Sequence, residues 1–324
     1  MNKEILDTEL DAISIKFAEI KKKVNQYIVG NENVTELLII GLLSEGHILI
    51  EGPPGTAKTT IAKIMASLMG LEFKRVQCTV DTQPADIIGA QMWDSKTKEF
   101  ALIKGPIFTN ILLVDEANRL PPKSQSAFVE VIHERQATID GLTMRVGNPF
   151  FTIATQNPYE SEGIFKLIDV QKDRFSFSIN IDYLDGEGEL EIIKRDHEGI
   201  LDLDCFNEDL EPILYKNNIS SFIEYVKKIR VEESIQEYIK NLILRSRNHK
   251  DLKFGISSRG SIALIRGSKA NAALQNRKFV IPDDVKKILP LVFKHRLGLH
   301  YEAEMSGINR DDVIEDILNS VKVL

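Results

Sequence analysis

The chain has 324 residues, of which 43% are apolar and 27% charged, and its formal net charge is −7. These values are typical of a folded protein with one large or two medium domains, and they exclude a disordered, collagen-like or disulfide-stapled chain. The acidic balance also lacks the basic footprint of a protein whose main partner is duplex nucleic acid, although it is compatible with a local basic patch.

The cysteines and the apolar runs indicate the compartment. Cys78 and Cys205 lie far apart and match no metal-binding or redox spacing, so both are predicted to be reduced, buried thiols. The longest apolar run, 37–43, is too short to cross a bilayer. Charged residues interrupt the short apolar runs of residues 1–23, so no signal peptide is predicted and we expect a cytoplasmic protein.

An amphipathic helix is predicted at the N-terminus, where apolar residues recur at helical spacing. They are Ile5, Leu6, Leu10, Ile13, Phe17 and Ile20. From Glu45 onward, short apolar runs alternate with helical stretches. The runs span 47–51, 73–78, 111–114 and 149–155. Continuous apolar runs of this length are typical of strands in a parallel sheet that helices cover on both faces.

After about Asp185 the strand pattern gives way to helical periodicity. Helices are predicted over 189–196, 219–227, 234–248, 259–275, 283–292 and 311–321. We therefore predict an α/β core over residues 1–185, followed by an all-helical domain over 186–324.

A glycine-bearing loop lies between the first predicted strand and a helical run. Its sequence is Gly52-Pro53-Pro54-Gly55-Thr56-Ala57-Lys58-Thr59-Thr60. A strand, a loop of this kind ending in Lys-Thr and a helix can wrap backbone N–H groups around phosphates. In that arrangement Lys58 contacts the β- and γ-phosphates of a nucleotide, and the Thr59 hydroxyl joins the ligand shell of Mg²⁺.

Position 57 departs from the general pattern GxxxxGK[ST], which has glycine before the lysine. Alanine adds only a methyl group. A residue that enters a right-handed helix does not need a positive φ, so we expect the loop to close around phosphates with Ala57 in place.

Two adjacent carboxylates follow the apolar run 111–114. A buried strand that brings Asp115 beside the phosphate loop can hold Mg²⁺, directly or through water, while Glu116 polarises the attacking water. Together the loop and this pair predict ATP hydrolysis.

The sequence resembles the MoxR family of AAA+ ATPases over nearly its whole length. The similar segments are 105–119, 121–127, 134–141, 154–158, 171–175, 281–285 and 295–297. The loop with Ala57 has the form Gly-x-Pro-Gly-x-Ala-Lys-Thr, which is usual in that family. The resemblance implies a P-loop AAA+ core with a helical lid, and ATP and Mg²⁺ as cofactors.

The resemblance also implies two sensor residues. Asn157, after the strand 150–155, is similar to the first sensor, which orients water against the γ-phosphate; capping of the turn before Pro158 is a compatible alternative. Arg259 is similar to the second sensor and would reach from the helical lid to the phosphates. Ser258 stands where the family often has proline before this arginine.

Further site residues follow from the resemblance. AAA+ rings use an arginine from the neighbouring subunit, because its permanent charge neutralises charge that builds on the γ-phosphate. Arg174 is the predicted finger and Arg119 is the alternative, and either could instead form an ordinary interface ion pair. Ile28 and Val29 are similar to the segment that packs against adenine; the residues alone indicate a turn between helices.

Two segments resemble protrusions that face a ring's pore or a partner surface in related proteins. Residues 91–104 resemble an insertion in the second helix of the core, and local packing is an equally good account of its Trp93. Residues 135–148, with the Asp140-Gly141 turn, indicate a hairpin.

The sequence lacks the motifs of zinc proteases and of serine hydrolases. His133-Glu134 lacks the second histidine of a zinc-protease helix, and the chain has no GxSxG nucleophile motif. The resemblance implies a chaperone-like factor that works as a homo-oligomeric ring, expected to be a hexamer. It would remodel or activate a client protein, in some cases by metal insertion or cofactor assembly, and often with a partner that carries a von Willebrand factor A domain. A nucleotide-gated switch and a nucleic-acid motor are alternatives, the motor being disfavoured by the acidic balance.

Overall fold

The computed structural model describes residues 3–159, 163–199 and 210–323, with side chains from Thr8 onward. The helices are α1 (Lys3–Tyr27), α2 (Glu32–Leu43), α3 (Lys58–Leu68), α4 (Pro84–Ile88), α5 (Pro122–Glu134), α6 (Asp169–Lys172), α7 (Gly186–His197), α8 (Lys216–Lys227), α9 (Glu233–Arg247), α10 (Ser258–Leu274), α11 (Pro282–Phe293), α12 (Tyr301–Met305) and α13 (Arg310–Ser320). The strands are β1 (Ile48–Glu51), β2 (Phe73–Gln77), β3 (Gly89–Asp94), β4 (Glu99–Lys104), β5 (Ile111–Asp115), β6 (Gln136–Ile139), β7 (Leu142–Arg145), β8 (Phe151–Gln156), β9 (Phe177–Asn180), β10 (Leu252–Phe254) and β11 (Gly298–Leu299). A 3₁₀ turn spans Ala117–Arg119.

Five strands form one parallel sheet in the order β2-β5-β8-β1-β9. The four strands predicted from apolar runs are confirmed as β1, β2, β5 and β8, and the predicted α/β fold is confirmed with them. The fifth strand, β9, was not predicted. It lies at the edge of the sheet against β1, and only Phe177 and Ser178 of its four residues are buried, so it lacks a continuous apolar run.

Helices cover both faces of this sheet. Along β5, Ile111 and Leu113 point to the face that packs against α1, α2 and α3, whereas Leu112 and Val114 point to the face that packs against α5. All four side chains are at most 2% exposed. The alternation follows from the strand geometry, and burial on both faces explains the continuous apolar runs.

Helix α1 links the core to the helical domain. It contacts α2 and α3 on one side and α8 and α10 on the other. Its buried apolar positions are Leu10, Ile13, Phe17, Ile20 and Val24. The predicted amphipathic helix is thereby confirmed, while the side chains of Ile5 and Leu6 lie outside the described residues. The ring of Phe17 packs edge-on against Phe222 of α8, with centroids 6.1 Å apart.

The helices predicted after residue 185 are confirmed as α7 to α11 and α13, with ends within three residues of the prediction. The pattern did not predict the two-stranded antiparallel sheet β10-β11, because strands of three and two residues are too short to show a period. The buried side chains of α8 to α11 and α13 share one apolar cluster with α1, α2 and one face of the sheet.

Two antiparallel hairpins project from the core. Strands β6 and β7 form the predicted hairpin around Asp140-Gly141, and β3 and β4 form a second hairpin within the predicted insertion. The backbone N–H of Gln91 donates to Oδ2 of Asp140 at 3.2 Å, so the hairpins contact each other. The Trp93 ring packs edge-on against Phe100, yet Trp93 is 58% exposed.

Cys78 is a buried free thiol, as predicted, and burial raises its pKa to about 12, with the charges of the nearby Asp115 and Glu116 adding to the shift. Cys205 lies outside the described residues. Within residues 3–159, 163–199 and 210–323, no helix combines the length and the apolar character needed to span a bilayer.

His47 is fully buried at the start of β1 and is held as a neutral ring. Its Nδ1 accepts from the Thr152 N–H at 3.0 Å, so Nε2 carries the proton that it donates to the Ile132 carbonyl at 3.1 Å. Burial, together with the charge of Arg135, lowers the pKa of His47 to about 3 from 6.5.

We expect His47 to make the protein less stable in mild acid. Below pH 6.5 the unfolded chain binds a proton that folded His47 does not bind, so the free energy of unfolding falls by about 1.4 kcal/mol per pH unit on this account, between about pH 6.5 and 3. Urea unfolding at pH 7, 6 and 5 measures the slope. His47→Gln, which keeps one donor and one acceptor, should have a smaller slope; an equal slope in both proteins would contradict the assignment.

Candidate nucleotide-binding site

The phosphate-binding loop leaves the carboxyl end of β1 and enters α3 at Lys58. At Gly52 a Cβ atom would lie 2.4 Å from the carbonyl oxygen of Ile181, so this position has no room for a side chain. The loop therefore packs directly against the chain that follows β9. Its backbone N–H groups sit at the N-terminus of α3, which is an electrostatically favourable place for phosphate.

Ala57 has a left-handed backbone, with φ 56° and ψ 18°, immediately before α3. The expectation that this position does not need a positive φ is wrong. The left-handed region costs a residue with a Cβ about 1–2 kcal/mol, which explains why the general pattern has glycine there. Alanine keeps the conformation with the smallest possible Cβ substituent, so the loop carries backbone strain beside the phosphate site.

Lys58 folds back over the loop. Its Nζ donates to the carbonyl oxygens of Gly52 at 3.0 Å and Pro53 at 2.6 Å, and to Oγ1 of Thr56 at 3.1 Å. Half-burial of the ammonium group lowers its pKa, against the opposing effect of the two carboxylates at the end of β5. The loop thus holds a cation in its concavity, as the predicted role of Lys58 requires.

Asp115 lies at the end of β5 and is 9% exposed. Its Oδ1 accepts from the Thr155 hydroxyl at 2.6 Å, and its Oδ2 accepts from the Thr59 hydroxyl at 3.3 Å. The structure therefore brings together the two predicted magnesium residues, Thr59 and Asp115. A hydroxyl and a carboxylate, completed by phosphate and water oxygens, are a suitable ligand set for Mg²⁺.

Two residues of β2 that contact these carboxylates were missed by the sequence analysis. Arg75 forms an ion pair with Oδ2 of Asp115 at 2.7 Å, and Gln77 Nε2 donates to Oε2 of Glu116 at 3.1 Å. They are two residues apart and share one face of the strand. That alternation was visible in the sequence, but the pairing of β2 with β5 was not.

Glu116, the predicted catalytic base, follows β5 with a left-handed backbone, φ 59° and ψ 49°. Its N–H donates to the Thr155 hydroxyl at 2.9 Å, and its carboxylate forms an ion pair with Arg119 at 3.2 Å. Arg119, the alternative finger, therefore lies beside the predicted catalytic base of its own chain.

Asn157 follows β8 and lines the same cavity as Lys58 and Glu116. Its Oδ1 accepts from the N–H of Tyr159 at 3.1 Å, so the turn-capping alternative is also present in the structure. The sensor role and the turn-capping role would therefore fall to the same side chain. Asn157 is 9% exposed and lies at the carboxyl edge of the sheet.

Two adjoining cavities meet at the loop. The first, of about 560 Å³, is lined by loop residues together with Arg75, Asp115, Glu116, Thr155, Gln156 and Asn157. The second, of about 170 Å³, is lined on its other sides by Tyr27, Ile28, Val29, Asn31, Asp182, Tyr183, Leu184, Glu189 and Ile192. Both include Gly55, Thr56, Ala57 and Thr60. The predicted adenine-contacting residues Ile28 and Val29 thus lie next to the phosphate loop, in an apolar cavity suited to a base.

The remaining predicted residues lie at the opposite edge of the sheet. Phe177 pairs in register with Ile48, the first residue of β1, so Arg174 lies where the parallel strands begin, whereas the loop lies where they end. Four strand residues separate these edges by about 13 Å. Arg174 lines a cavity of about 380 Å³ with Arg135, Arg259, Arg266 and Arg296.

Arg259 belongs to this second edge. One of its amino groups lies 3.4 Å from Oδ2 of Asp173, and the other lies 3.4 Å from Nε2 of His133. Arg259, predicted to reach the phosphates from the helical lid, does not contact the phosphate loop of its own chain, because the lid places the first turn of α10 against the amino edge of the sheet.

Comparison with known proteins agrees with this geometry. Residues 47–177 match the profile described as ATPase family associated with various cellular activities (AAA), and residues 244–317 match the AAA lid domain. Chaperone MoxR1 of Mycobacterium tuberculosis is 36% identical over 92% of this chain and 80% of its own length. The chain belongs to the MoxR family of AAA+ ATPases.

Other relatives also match this chain over nearly its whole length. The Bacillus subtilis protein YeaC, which is uncharacterised, is 38% identical over 93% of this chain and 92% of its own. A crystal structure from Cytophaga hutchinsonii, described as a candidate ATPase, superposes with a TM-score of 0.91 at 36% identity and covers 99% of this chain and 98% of its own. The predicted MoxR-family membership and the P-loop core with a lid are confirmed, and ATP hydrolysis is the general activity of this family.

We expect position 57 to tolerate glycine and reject valine. Glycine adopts a left-handed backbone without strain, so Ala57→Gly should keep nucleotide affinity within about twofold and stability within about 1 kcal/mol. Ala57→Val places a β-branched residue at positive φ and should weaken nucleotide binding at least tenfold. Equilibrium binding of a fluorescent ADP analogue and thermal unfolding measure both effects. Equal behaviour of the two variants would show that the conformation at position 57 is not a constraint.

We expect Lys58→Ala and Glu116→Gln to separate binding from hydrolysis. Loss of the Lys58 ammonium removes the charge in the loop, so nucleotide affinity should fall at least tenfold. Glu116→Gln keeps the shape of the side chain but cannot polarise water as a carboxylate does, so ATP should bind normally and turn over at least a hundredfold more slowly. Binding titration and phosphate release check each variant; normal turnover in Glu116→Gln would remove Glu116 from its role.

Proposed function

We propose that this protein is a Mg-ATP-dependent remodelling ATPase whose sites are shared between neighbouring subunits of a ring, expected to be a hexamer. It would act in the cytoplasm as a chaperone-like factor that remodels or activates a client protein. Insertion of a metal or assembly of a cofactor in the client, with a partner that carries a von Willebrand factor A domain, is the proposed kind of task.

The separation of the two groups of charged residues carries this proposal. The phosphate loop, Asp115 and Glu116 lie at the carboxyl edge of the sheet, whereas Arg174 and Arg259 lie at the amino edge. Neither arginine contacts the loop of its own chain. A head-to-tail interface would place the amino edge of one subunit against the carboxyl edge of the next, and repetition of that contact forms a ring when the rotation between neighbours closes.

Each group then has a distinct part in hydrolysis. Lys58 and the loop N–H groups bind the phosphates, and Glu116 orients and polarises the attacking water with Asn157 beside it. Thr59 and Asp115 would hold Mg²⁺, which neutralises charge on the phosphate oxygens when bound. Arg75 supplies the counter-charge to Asp115 in the present arrangement.

Arg174 is the proposed finger, with Arg259 as a second cation from the same neighbour. The position of Arg119 supports this choice over the alternative, since Arg119 is paired with Glu116 of its own site. Guanidinium groups suit the role because they stay charged and form paired hydrogen bonds with phosphate oxygens.

The client-directed part of the proposal is supported by the relative named Chaperone MoxR1 and by the hairpins. The two hairpins expose large apolar side chains on one projecting region: Met92, Trp93, Phe100, Ile103 and Leu142. Clustered exposed apolar side chains are typical of surfaces that contact another protein.

We expect Arg174→Ala to be inactive alone and active in mixed rings. An equimolar mixture with Glu116→Gln creates interfaces in which an Arg174→Ala site, with its intact Glu116, receives Arg174 from the other variant. Random mixing gives such a pairing at about one quarter of the interfaces, so the mixture should regain up to about that share of wild-type turnover. Phosphate release, with assembly followed by light scattering, measures the recovery.

Turnover per subunit should also rise with protein concentration over the range in which scattering shows assembly. Absence of recovery in demonstrably mixed rings would contradict the shared site. Tight ATP binding with negligible turnover in assembled rings would favour a nucleotide-gated switch, and salt-sensitive stimulation by DNA would favour a nucleic-acid motor.

A further inference from the structure

Arg296, which follows α11 in the helical domain, is a buried charged side chain near the amino edge of the sheet. Its side chain is 2% exposed. All five N–H groups of the guanidinium donate: Nε to Oδ1 of Asp173, one amino group to the carbonyl oxygens of Ser176 and Val292, and the other to the carbonyl oxygens of Asp173 and Phe175.

Four of these five acceptors belong to residues 173–176, which form the turn that carries Arg174. The carbonyls before and after Arg174 are therefore both bonded to one side chain of the helical domain. Nε2 of the neighbouring His295 lies 3.0 Å from the carbonyl oxygen of Phe175. The backbone around the proposed finger is thus held by the segment 295–296.

The same cluster includes the start of α10. Asp173 accepts from the Ser257 hydroxyl at 2.8 Å and from Arg259 at 3.4 Å. A Cβ at Gly260 would lie 3.3 Å from Cδ of Arg296, so the absence of a side chain at this position lets the arginine pass close under the helix. Arg174 and Arg259 are consequently anchored to one buried group.

Burial makes this arrangement resistant to small changes. Burial lowers the pKa of Arg296 to about 10, with the Asp173 carboxylate opposing the shift, so the guanidinium is charged at neutral pH. Removal of a bonding partner from a buried charge is strongly destabilising, because the charge is then left without compensation. The 173–176 turn therefore cannot shift without loss of several hydrogen bonds at once.

The guanidinium of Arg174 itself is only partly bonded, and its Nε is buried. One amino group donates to the Val129 carbonyl at 3.3 Å, and Nε has no hydrogen-bond partner among the described residues. A fixed backbone with an unsatisfied guanidinium suits a group that meets its partner on another molecule.

We propose that Arg296 is a positioning residue that sets Arg174 for the ATP of the neighbouring subunit and does not act on the ATP bound to its own chain. The inference rests on the shared site proposed above. It assigns the segment 295–297, which resembled the family in sequence without an evident task, to the presentation of the finger.

The test is the activity of mixed rings that contain Arg296→Lys. Lysine keeps a positive charge but offers three donors at one point, so it cannot bond both sides of the turn. Alone, the variant should bind a fluorescent ADP analogue with wild-type affinity, assemble, and hydrolyse ATP about tenfold to a hundredfold more slowly, since small misplacements of catalytic groups have effects of that size. Arg245→Lys, at the exposed Arg245–Asp316 ion pair, is the matched control and should behave as wild type.

The mixtures distinguish positioning from general damage. Arg296→Lys should regain activity when mixed with Glu116→Gln, which supplies an intact arginine edge, and should regain none when mixed with Arg174→Ala, which lacks the same function. Wild-type turnover in Arg296→Lys alone, or recovery with Arg174→Ala, would overturn the inference. The inference would also be overturned if the mixture of Arg296→Lys with Glu116→Gln regained no activity while the mixture of Arg174→Ala with Glu116→Gln did.

If the mixture of Arg174→Ala with Glu116→Gln regained no turnover, both the shared site and this inference would be overturned. Failure of the inference alone is distinguishable, because that mixture would then recover. If Arg296→Lys does not fold, Asp173→Asn tests the same contact from the other side, because it removes the charge that Arg296 faces while it keeps an acceptor oxygen. The same pattern of recovery is expected, and its absence contradicts the proposal.

Discussion

The parallel direction of the five strands is the constraint on which the site depends. Because every strand begins at one edge of the sheet and ends at the other, all residues that follow strands gather at one edge and all residues that precede strands gather at the other. One edge therefore holds the loop after β1, the carboxylates after β5 and Asn157 after β8. Arg174, which precedes β9, lies at the opposite edge. One chain therefore carries its phosphate loop and Arg174 at opposite edges of the sheet.

Two of the left-handed non-glycine residues lie where the chemistry is proposed. Ala57 and Glu116 both have left-handed backbones, and both stand directly between a regular element and a functional turn. The surrounding structure maintains these conformations: Thr155 bonds the N–H of Glu116, and α3 continues from Ala57. Backbone conformations that oppose the local preference of the residue are a known feature of binding loops, where they aim a side chain or an N–H group.

The sequence predicted the elements with strong periodicity and the residues with distinctive chemistry. The four buried strands and the helices after residue 185 follow from apolar patterning, and Lys58, Thr59 and Asp115 follow from motif spacing. The edge strand β9 was not predicted because its sequence is short and half polar. The contacts of Arg75 and Gln77 were not predicted, because they depend on which strands are neighbours in the sheet. The sequence pattern does not give the strand order. The position of Arg259 relative to the phosphate loop could not be predicted for a related reason, since it depends on how α10 packs against α1 and α2.

That packing has a further consequence for motion. The apolar side chains of α1 and α2 belong at once to the sheet and to the helical domain, so rotation of the lid relative to the core would expose part of a continuous hydrophobic cluster to water. The core and the lid of one chain thus share one hydrophobic cluster, and its burial opposes their separation. In the ring proposed above, this shared cluster would favour changes in the angle between adjacent chains over opening of the lid within one chain.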